Sequence, residues 1–298
     1  MRICYSDRYM VPLAPTHPFP MPKYRLVRDR LLAEGSITYW HLIEPLLASD
    51  EDILLVHSAQ YWLRCARGEL TAAEVRRIGF PWSEGLVRRS RASVQGTIIA
   101  ARNALRDGIA CNLAGGTHHA FPDHGEGYCV LNDIAIATRV LQRDGLARRI
   151  AILDCDVHQG NGTAAIFAAD QDVFTFSIHG DKNFPLRKEQ SKLDIALPNG
   201  TGDEAYLQIL AEHVPAILRE FQPDFVFYQA GVDPYERDRL GKLKLTLAGL
   251  RARDEYVLAQ CKQAGVPVAT TMGGGYAKEI TETVEAHANT VRAALKVF

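Results

Sequence analysis

The sequence predicts an α/β fold, a mostly parallel central sheet with helices on both faces, and three observations predict it. From about residue 83 short apolar segments alternate with helix-like ones, the pattern that builds βαβ units. The apolar segments run continuously without polar alternation, as strands covered on both faces do. Gly-, Asp- and His-bearing turns follow at least four of them, where open parallel sheets place their ligands.

The strands expected are IACNLA (109–114), RIAILDC (149–155), DVFTFS (172–177), DFVFYQA (224–230) and VPVATTM (266–272), all short and rich in apolar residues. Helices are expected over 83–107, 131–144, 161–169, 203–221, 246–264 and 276–295, where apolar residues recur at spacings of three and four. Pro215 should bend the fourth of them. The first 80 residues differ: a Pro-rich entry (Pro12, Pro15, Pro18, Pro20, Pro22) precedes a helix over 23–33, whose first position suits Pro22. This part is expected to be a lid or flank. The stretch 179–202 is too long for a plain connection and too charged for a core element, so a functional loop is expected there.

With 34 Lys+Arg against 35 Asp+Glu and a formal net charge of -1, the 298 residues carry no bulk basic footprint for nucleic acid. Hydrophobic residues at 47% and charged residues at 23% exclude disorder as the main theme. One domain spanning 1–298 is the default at this length. The six cysteines include no CxxC pair, which suggests neither a disulfide framework nor a zinc knuckle and fits a reducing compartment. No apolar h-region opens the chain and no run of about 18 apolar residues follows, so a cytoplasmic protein with no membrane span is expected.

The polar residues gather at the strand ends. His118 and His119 follow the first strand, Asp154 ends the second with Asp156 and His158 beyond it, Asp233 follows the fourth, and Tyr276 follows Gly273, Gly274 and Gly275 after the fifth. On an extended segment the i, i+2, i+4 spacing turns Asp154, Asp156 and His158 to one side. Two carboxylates and an imidazole converging there would need a cation between them, and a divalent metal is the economical one. Asp156, His158 and Asp233 make a three-ligand set with room for water, a catalytic design. A lone D-x-H is often only a helix cap beside a core histidine; four coincident strand-end clusters argue against that here. Neutral imidazole at His118 or His119 suits proton transfer from water to a leaving nitrogen, and Tyr276 suits donation to a developing oxyanion. The triple glycine has no GxGxxG or GxxxxGK[ST] around it, so a phosphate cradle is disfavoured.

The runs LAGGTHHAFPDHGEGYCVLNDIAIA, ILDCDVHQGNGT, GVDP and MGGGY resemble the zinc-dependent histone deacetylase superfamily over almost the whole chain. HPFPMPK, DVHQGNG and DPYERDRLGKLKLT point to its class IV and related bacterial branch. The resemblance implies the three-layer arginase/deacetylase-like fold and Asp156, His158 and Asp233 as ligands of Zn2+, for which Fe2+ is an alternative. It also implies His119 as general base and then acid, His118 as its electrostatic partner oriented by Asp154, and Tyr276 as the second electrophile. A structural K+ is implied at Asp154, Asp156, His158, Ser177 and the backbone around Ile178. Gly127, Tyr128 and Phe184 would line a tunnel for an acyl-lysine stem.

Two departures stand out. Asn161 replaces an Asp that would contact the second histidine in the best-known deacetylases. Leu240 stands at the tunnel where polyamine-specific relatives are expected to carry a Glu, although Glu126 or Glu236 could do similar work. The function expected is hydrolysis of acetyl or longer acyl groups from lysine on a protein. The alternatives are a small acetylated amine as substrate, a non-catalytic acyl-amine-binding protein, and a binuclear ureohydrolase.

Since Asn supplies no full negative charge, His119 should have a lower pKa than an Asp-paired histidine. Asn161→Asp is expected to move the acidic limb of kcat/KM to higher pH, and a limb that stays in place would refute this.

Overall fold

The computed structural model describes residues 1–298. Eight strands form one sheet: β1 (Arg2–Cys4), β2 (Leu42–Ile43), β3 (Ile109–Asn112), β4 (Ile150–Asp154), β5 (Val173–Gly180), β6 (Leu193–Leu197), β7 (Phe225–Gln229) and β8 (Val268–Thr271). Their order is β2-β1-β3-β8-β7-β4-β5-β6, and every neighbouring pair is parallel. The expected sheet is therefore present, and it is wholly parallel. β3, β4, β7 and β8 are buried at every position, which is why each reads as an unbroken apolar run.

Helices surround the sheet. α1 (Lys23–Ala33), α10 (Ile280–Val297), α9 (Leu247–Gln263) and α8 (Asp203–Phe221) pack in succession. The long α5 (Glu84–Asp107) packs on β1, β3 and β8 and against α6 (Asp133–Arg143), which meets α7 (Asn161–Phe167). The short helices α2 (Asp50–Ile53), α3 (Ala59–Arg67) and α4 (Ala72–Ile78) lie between β2 and α5 in the chain. No helix is long and apolar enough to cross a membrane. Side-chain caps set several starts: Ser83 accepts from Leu86 N–H, Asn132 from Ala135 N–H and Thr246 from Gly249 N–H.

Four expectations need correction. The N-terminal part is more than a lid or flank, since β1 and β2 complete one side of the sheet; at three and two residues they are too short for periodicity to register. The 179–202 stretch is not all loop, because β5 runs on to Gly180 and β6 forms the far edge. β6 is only partly buried, so its Asp194 and flanking lysines hid it. The last helix starts at Ile280 rather than at 276. Tyr276 N–H is bonded to Asp238 Oδ2 at 2.6 Å and Ala277 N–H to Thr283 Oγ1 at 3.1 Å, and these side-chain acceptors hold the backbone out of a helix. Finally, α8 runs unbroken through the half-buried Pro215.

His57 ties the segment before α6 to the body. Its Nδ1 bonds the Phe121 carbonyl at 2.9 Å, and its Nε2 accepts the Asn132 N–H at 2.9 Å. Burial lowers its pKa to about 4, so the ring is neutral in the folded protein. The unfolded chain takes up this proton first, at the ordinary value near 6.5. Stability is thus complete above about pH 6.5 and falls as pH drops toward 4, by roughly 3 kcal/mol from this group. Urea unfolding across that window is expected to show the slope, and His57→Asn to reduce it by about one proton.

Candidate active site

The strand register sets the site's floor. Asn112, Thr271, Gln229, Asp154 and Ser177 stand opposite one another across β3, β8, β7, β4 and β5. The segments that continue past this row carry the polar residues singled out above. His118, His119, Asp156, His158, Asp233 and Tyr276 all line one recess of about 40 Å³.

Asp156, His158 and Asp233 each place a ligand atom within 4.8 Å of the others. Asp154 does not join them, which corrects the alternate-residue argument. β4 ends at Asp154, and beyond it Asp154 Oδ1 accepts the Asp156 N–H (3.1 Å) and Asp156 Oδ1 the His158 N–H (3.0 Å). These two successive turns swing Asp156 and His158 toward Asp233, while Asp154 Oδ2 takes His118 Nδ1 at 2.6 Å.

Backbone donors hold the carboxylates in place: Gly274 N–H reaches Asp156 Oδ2 at 2.8 Å, and Val157 N–H reaches Asp233 Oδ1 at 2.9 Å. Glycine is required on both sides, because a Cβ at Gly231 would lie 2.2 Å from Asp156 Oδ2 and one at Gly274 1.9 Å from Asp233 Oδ2. His158 Nδ1 sits 3.0 Å from Asp156 Oδ1 and 3.1 Å from Asp233 Oδ2. Burial disfavours its cation, but the bonds to Asp156 and Asp233 prevail and raise its pKa to about 10. Burial and then Asp156 push Asp233 up to about 7. Burial also opposes ionisation of Asp156, yet His118 and His158 drive it well below the usual range. The cluster thus favours a positive charge among three donors of the type that bind divalent metals.

The adjacent histidines have different partners. Burial works against a charged His118, but Asp154 and Asp156 outweigh it and raise the pKa to about 9. His119 Nδ1 faces Asn161 Oδ1 at 2.7 Å. Burial, then the positive neighbours His118 and His158, hold its pKa well below the ordinary value. Asn161 Nδ2 in turn donates to Glu126 Oε1 at 2.6 Å, a contact with no sequence signal. Tyr276 is buried, and burial followed by Asp233 and Asp156 raises its pKa far above 10, so it remains a phenol donor.

A larger groove of about 610 Å³ shares His119, Gly127, Tyr128, His158 and Tyr276 with the recess and opens outward past Phe184 and Leu240. Gly127, Tyr128, Phe184 and Leu240 all line this groove. Its rim holds Arg76, Arg77, Lys182 and Lys242 with Glu126 as the acid; Glu236 does not line it. Ser177 and Ile178 are buried on β5, with Ser177 Oγ 3.0 Å from His179 Nδ1.

Sequence reasoning missed the supporting groups. Asp133 accepts from Thr117 N–H at 2.7 Å and Gly116 N–H at 3.2 Å, shaping the turn before His118. Asp238 holds the Tyr276 backbone. Buried Lys23 donates to the Gly273 carbonyl at 3.0 Å, with its pKa lowered to about 8 by burial. Asp238 and Lys23 lie within the segments DPYERDR and HPFPMPK that carried the family resemblance, so the signal existed without its role.

The model of the histone deacetylase domain matches residues 17–291. An uncharacterised protein of Picosynechococcus is 50% identical over 296 residues, covering 99% of each chain. Histone deacetylase 2 of Arabidopsis thaliana is 30% identical, covering 95% of this chain and 76% of its own. The crystal structure of a deacetylase homologue complexed with SAHA superposes with a TM-score of 0.86 at 26% identity, covering 99% of this chain and 83% of that one.

One divalent ion per chain is expected to bind at Asp156, His158 and Asp233. Because His158 and, in part, Asp233 hold protons near neutrality when no metal is bound, binding should release between one and two protons there and strengthen at least about tenfold per pH unit. Calorimetry in buffers of different ionisation enthalpy measures the release. Asp233→Asn should abolish both binding and the accompanying rise in Tm, and two ions per chain would favour the ureohydrolase alternative.

Proposed function

Because the chain belongs to the histone deacetylase family, we propose that it is a metal-dependent lysine deacetylase that hydrolyses short acyl groups from lysine side chains on a protein. The observation that carries this is the recess itself. Three metal-type donors, two histidines and a tyrosine converge at the inner end of a groove with apolar walls.

Asp156, His158 and Asp233 would hold the ion, Zn2+ or alternatively Fe2+. When bound, it supplies Lewis acidity toward the amide carbonyl and a water made nucleophilic at neutral pH. The remaining work falls to this chain's own side chains. His119, neutral in its buried setting, accepts the proton of the attacking water and returns it to the departing lysine nitrogen. His118, paired with Asp154 at 2.6 Å, keeps its positive charge and steadies the negative charge that develops. Tyr276 donates its phenolic hydrogen to the carbonyl oxygen as that charge grows. Acetate and a free amine result. Gly127, Tyr128 and Phe184 enclose the aliphatic stem and exclude water around it. K+ would sit at Asp154, Asp156, His158, Ser177 and the backbone around Ile178, with Asp154 and Ser177 on adjacent strands in register.

Two features of the groove bear on substrate choice. The recess is small, about 40 Å³ against about 610 Å³ for the groove outside it, which favours an acetyl methyl over a long chain. The rim's four cationic side chains against one acid repel a polyamine, and Leu240 offers it no carboxylate.

Peptides carrying acetyl-, octanoyl- and myristoyl-lysine, beside acetylated polyamines, test this on the zinc-loaded enzyme. Acetyl-lysine is expected to exceed octanoyl-lysine by at least about tenfold in kcat/KM, and Tyr276→Phe to lower kcat by roughly a hundredfold. Leu240→Glu should improve acetylpolyamine turnover relative to the peptide. Equal turnover of myristoyl-lysine would overturn the short-acyl assignment, and an unaltered Tyr276→Phe variant the mechanism.

A further inference from the structure

His119 can accept a proton only if its Nε2 is free of hydrogen, which requires that Nδ1 carry it. The partner at Nδ1 is Asn161, whose amide is ambivalent. With Oδ1 toward His119 it accepts the Nδ1 hydrogen; rotated by half a turn it presents its NH2 group, and the ring must then place its hydrogen on Nε2. The first arrangement makes a base at the recess and the second does not. Nothing in the asparagine itself chooses between them.

Glu126 supplies the choice. Its Oε1 lies 2.6 Å from Asn161 Nδ2, and an ionised carboxylate only accepts hydrogen bonds. The NH2 group must therefore face Glu126, which leaves Oδ1 facing His119 Nδ1 at 2.7 Å. The position of Glu126 is itself fixed from both sides. Cys129 N–H bonds the Glu126 carbonyl at 2.9 Å, and the next residues anchor to the end of α4, Gly127 N–H on Arg77 O at 3.2 Å and Tyr128 N–H on Ile78 O at 2.7 Å. A Cβ at Gly125 would lie 2.5 Å from the Cys129 carbonyl, and Gly127 has φ +56, so the turn requires glycine on each side of the glutamate.

We propose that Glu126 is a positioning residue, the outer member of an imidazole–amide–carboxylate relay that fixes the Asn161 amide and through it the hydrogen of His119. Beside it, His118 is paired with its carboxylate directly. In the His119 relay the carboxylate stands one residue further out. This inference rests on the assignment of His119 as the general base. It also changes what Asn161→Asp would do, because the new carboxylate would meet Glu126 across the same 2.6 Å contact.

The test uses zinc-loaded protein and an acetyl-lysine peptide. Glu126→Ala is expected to lower kcat at least about tenfold with KM changed less than about twofold. Glu126→Gln, which keeps an acceptor for the amide, should lose clearly less. Asn161→Asp should depress the plateau of kcat as well as shift its acidic limb, and adding Glu126→Gln should recover about tenfold or more, since Gln can donate to the new carboxylate. Nitrogen-15 NMR of the histidine rings reads the tautomer without turnover: His119 should carry its hydrogen on Nδ1 in the wild type and shift toward Nε2 in Glu126→Ala. A change confined to KM would make Glu126 a substrate contact and overturn the proposal. So would an unaltered tautomer in Glu126→Ala, or a double variant no better than Asn161→Asp alone. If the wild type turns over no substrate, the catalytic assignment fails while the NMR result still decides the relay.

Discussion

Buried negative charge at the carboxyl edge of the central strands is the constraint on which this architecture depends. Asp154, Asp156 and Asp233 are all under 4% exposed, and an unpaired carboxylate at such depth is too costly to persist. Every local feature around them answers that cost. Backbone N–H groups point at the oxygens, glycines at 231 and 274 leave room for them, and His118 and His158 sit at hydrogen-bond distance. The donors converge because parallel strands all present their carboxyl ends on one side, so turns from β4 and β7 deliver Asp156, His158 and Asp233 to one place. A sheet of mixed direction would scatter them.

The same topology explains what the sequence disclosed. Strands buried on both faces must be apolar throughout, so β3, β4, β5, β7 and β8 were legible, and the polar residues directly after them stood out by contrast. β1 and β2 are too short to carry a pattern, and β6, a partly exposed edge, carries charge like a loop. The metal-type donors, the histidine pair and Tyr276 were legible because four such clusters fall at strand ends together. Asp133, Asp238 and Glu126 were not. Each acts through a partner 16, 38 or 35 positions away, and an acidic residue in a turn has no local mark that separates such a role from ordinary exposure to solvent.

The groove and the recess divide the recognition problem. The outer groove has a basic rim and exposed Phe184 and Leu240, surfaces that act on the charge and shape of whatever carries the amine. The inner recess is much smaller and is lined by the clustered histidines, aspartates and Tyr276. On the proposed function, specificity for the carrier and for the acyl group would be set by different residues, and a substitution such as Leu240→Glu would alter one without touching the other.

The two adjacent histidines show how one local sequence builds two opposite electrostatic environments. Their rings are 4.1 Å apart, and both are buried, so burial alone would make both neutral. Direct contact with Asp154 reverses this for His118, whereas His119 meets an uncharged amide and two cationic neighbours. Environments that push neighbouring groups apart in this way assign acid and base roles. A second Asp in place of Asn161 would favour charge on His119 also, and two imidazolium rings at that separation would repel. In the proposed mechanism, keeping the negative charge one residue away, on Glu126, would preserve the orientation that a carboxylate gives without committing His119 to its cation, the state in which it can take no proton from the attacking water.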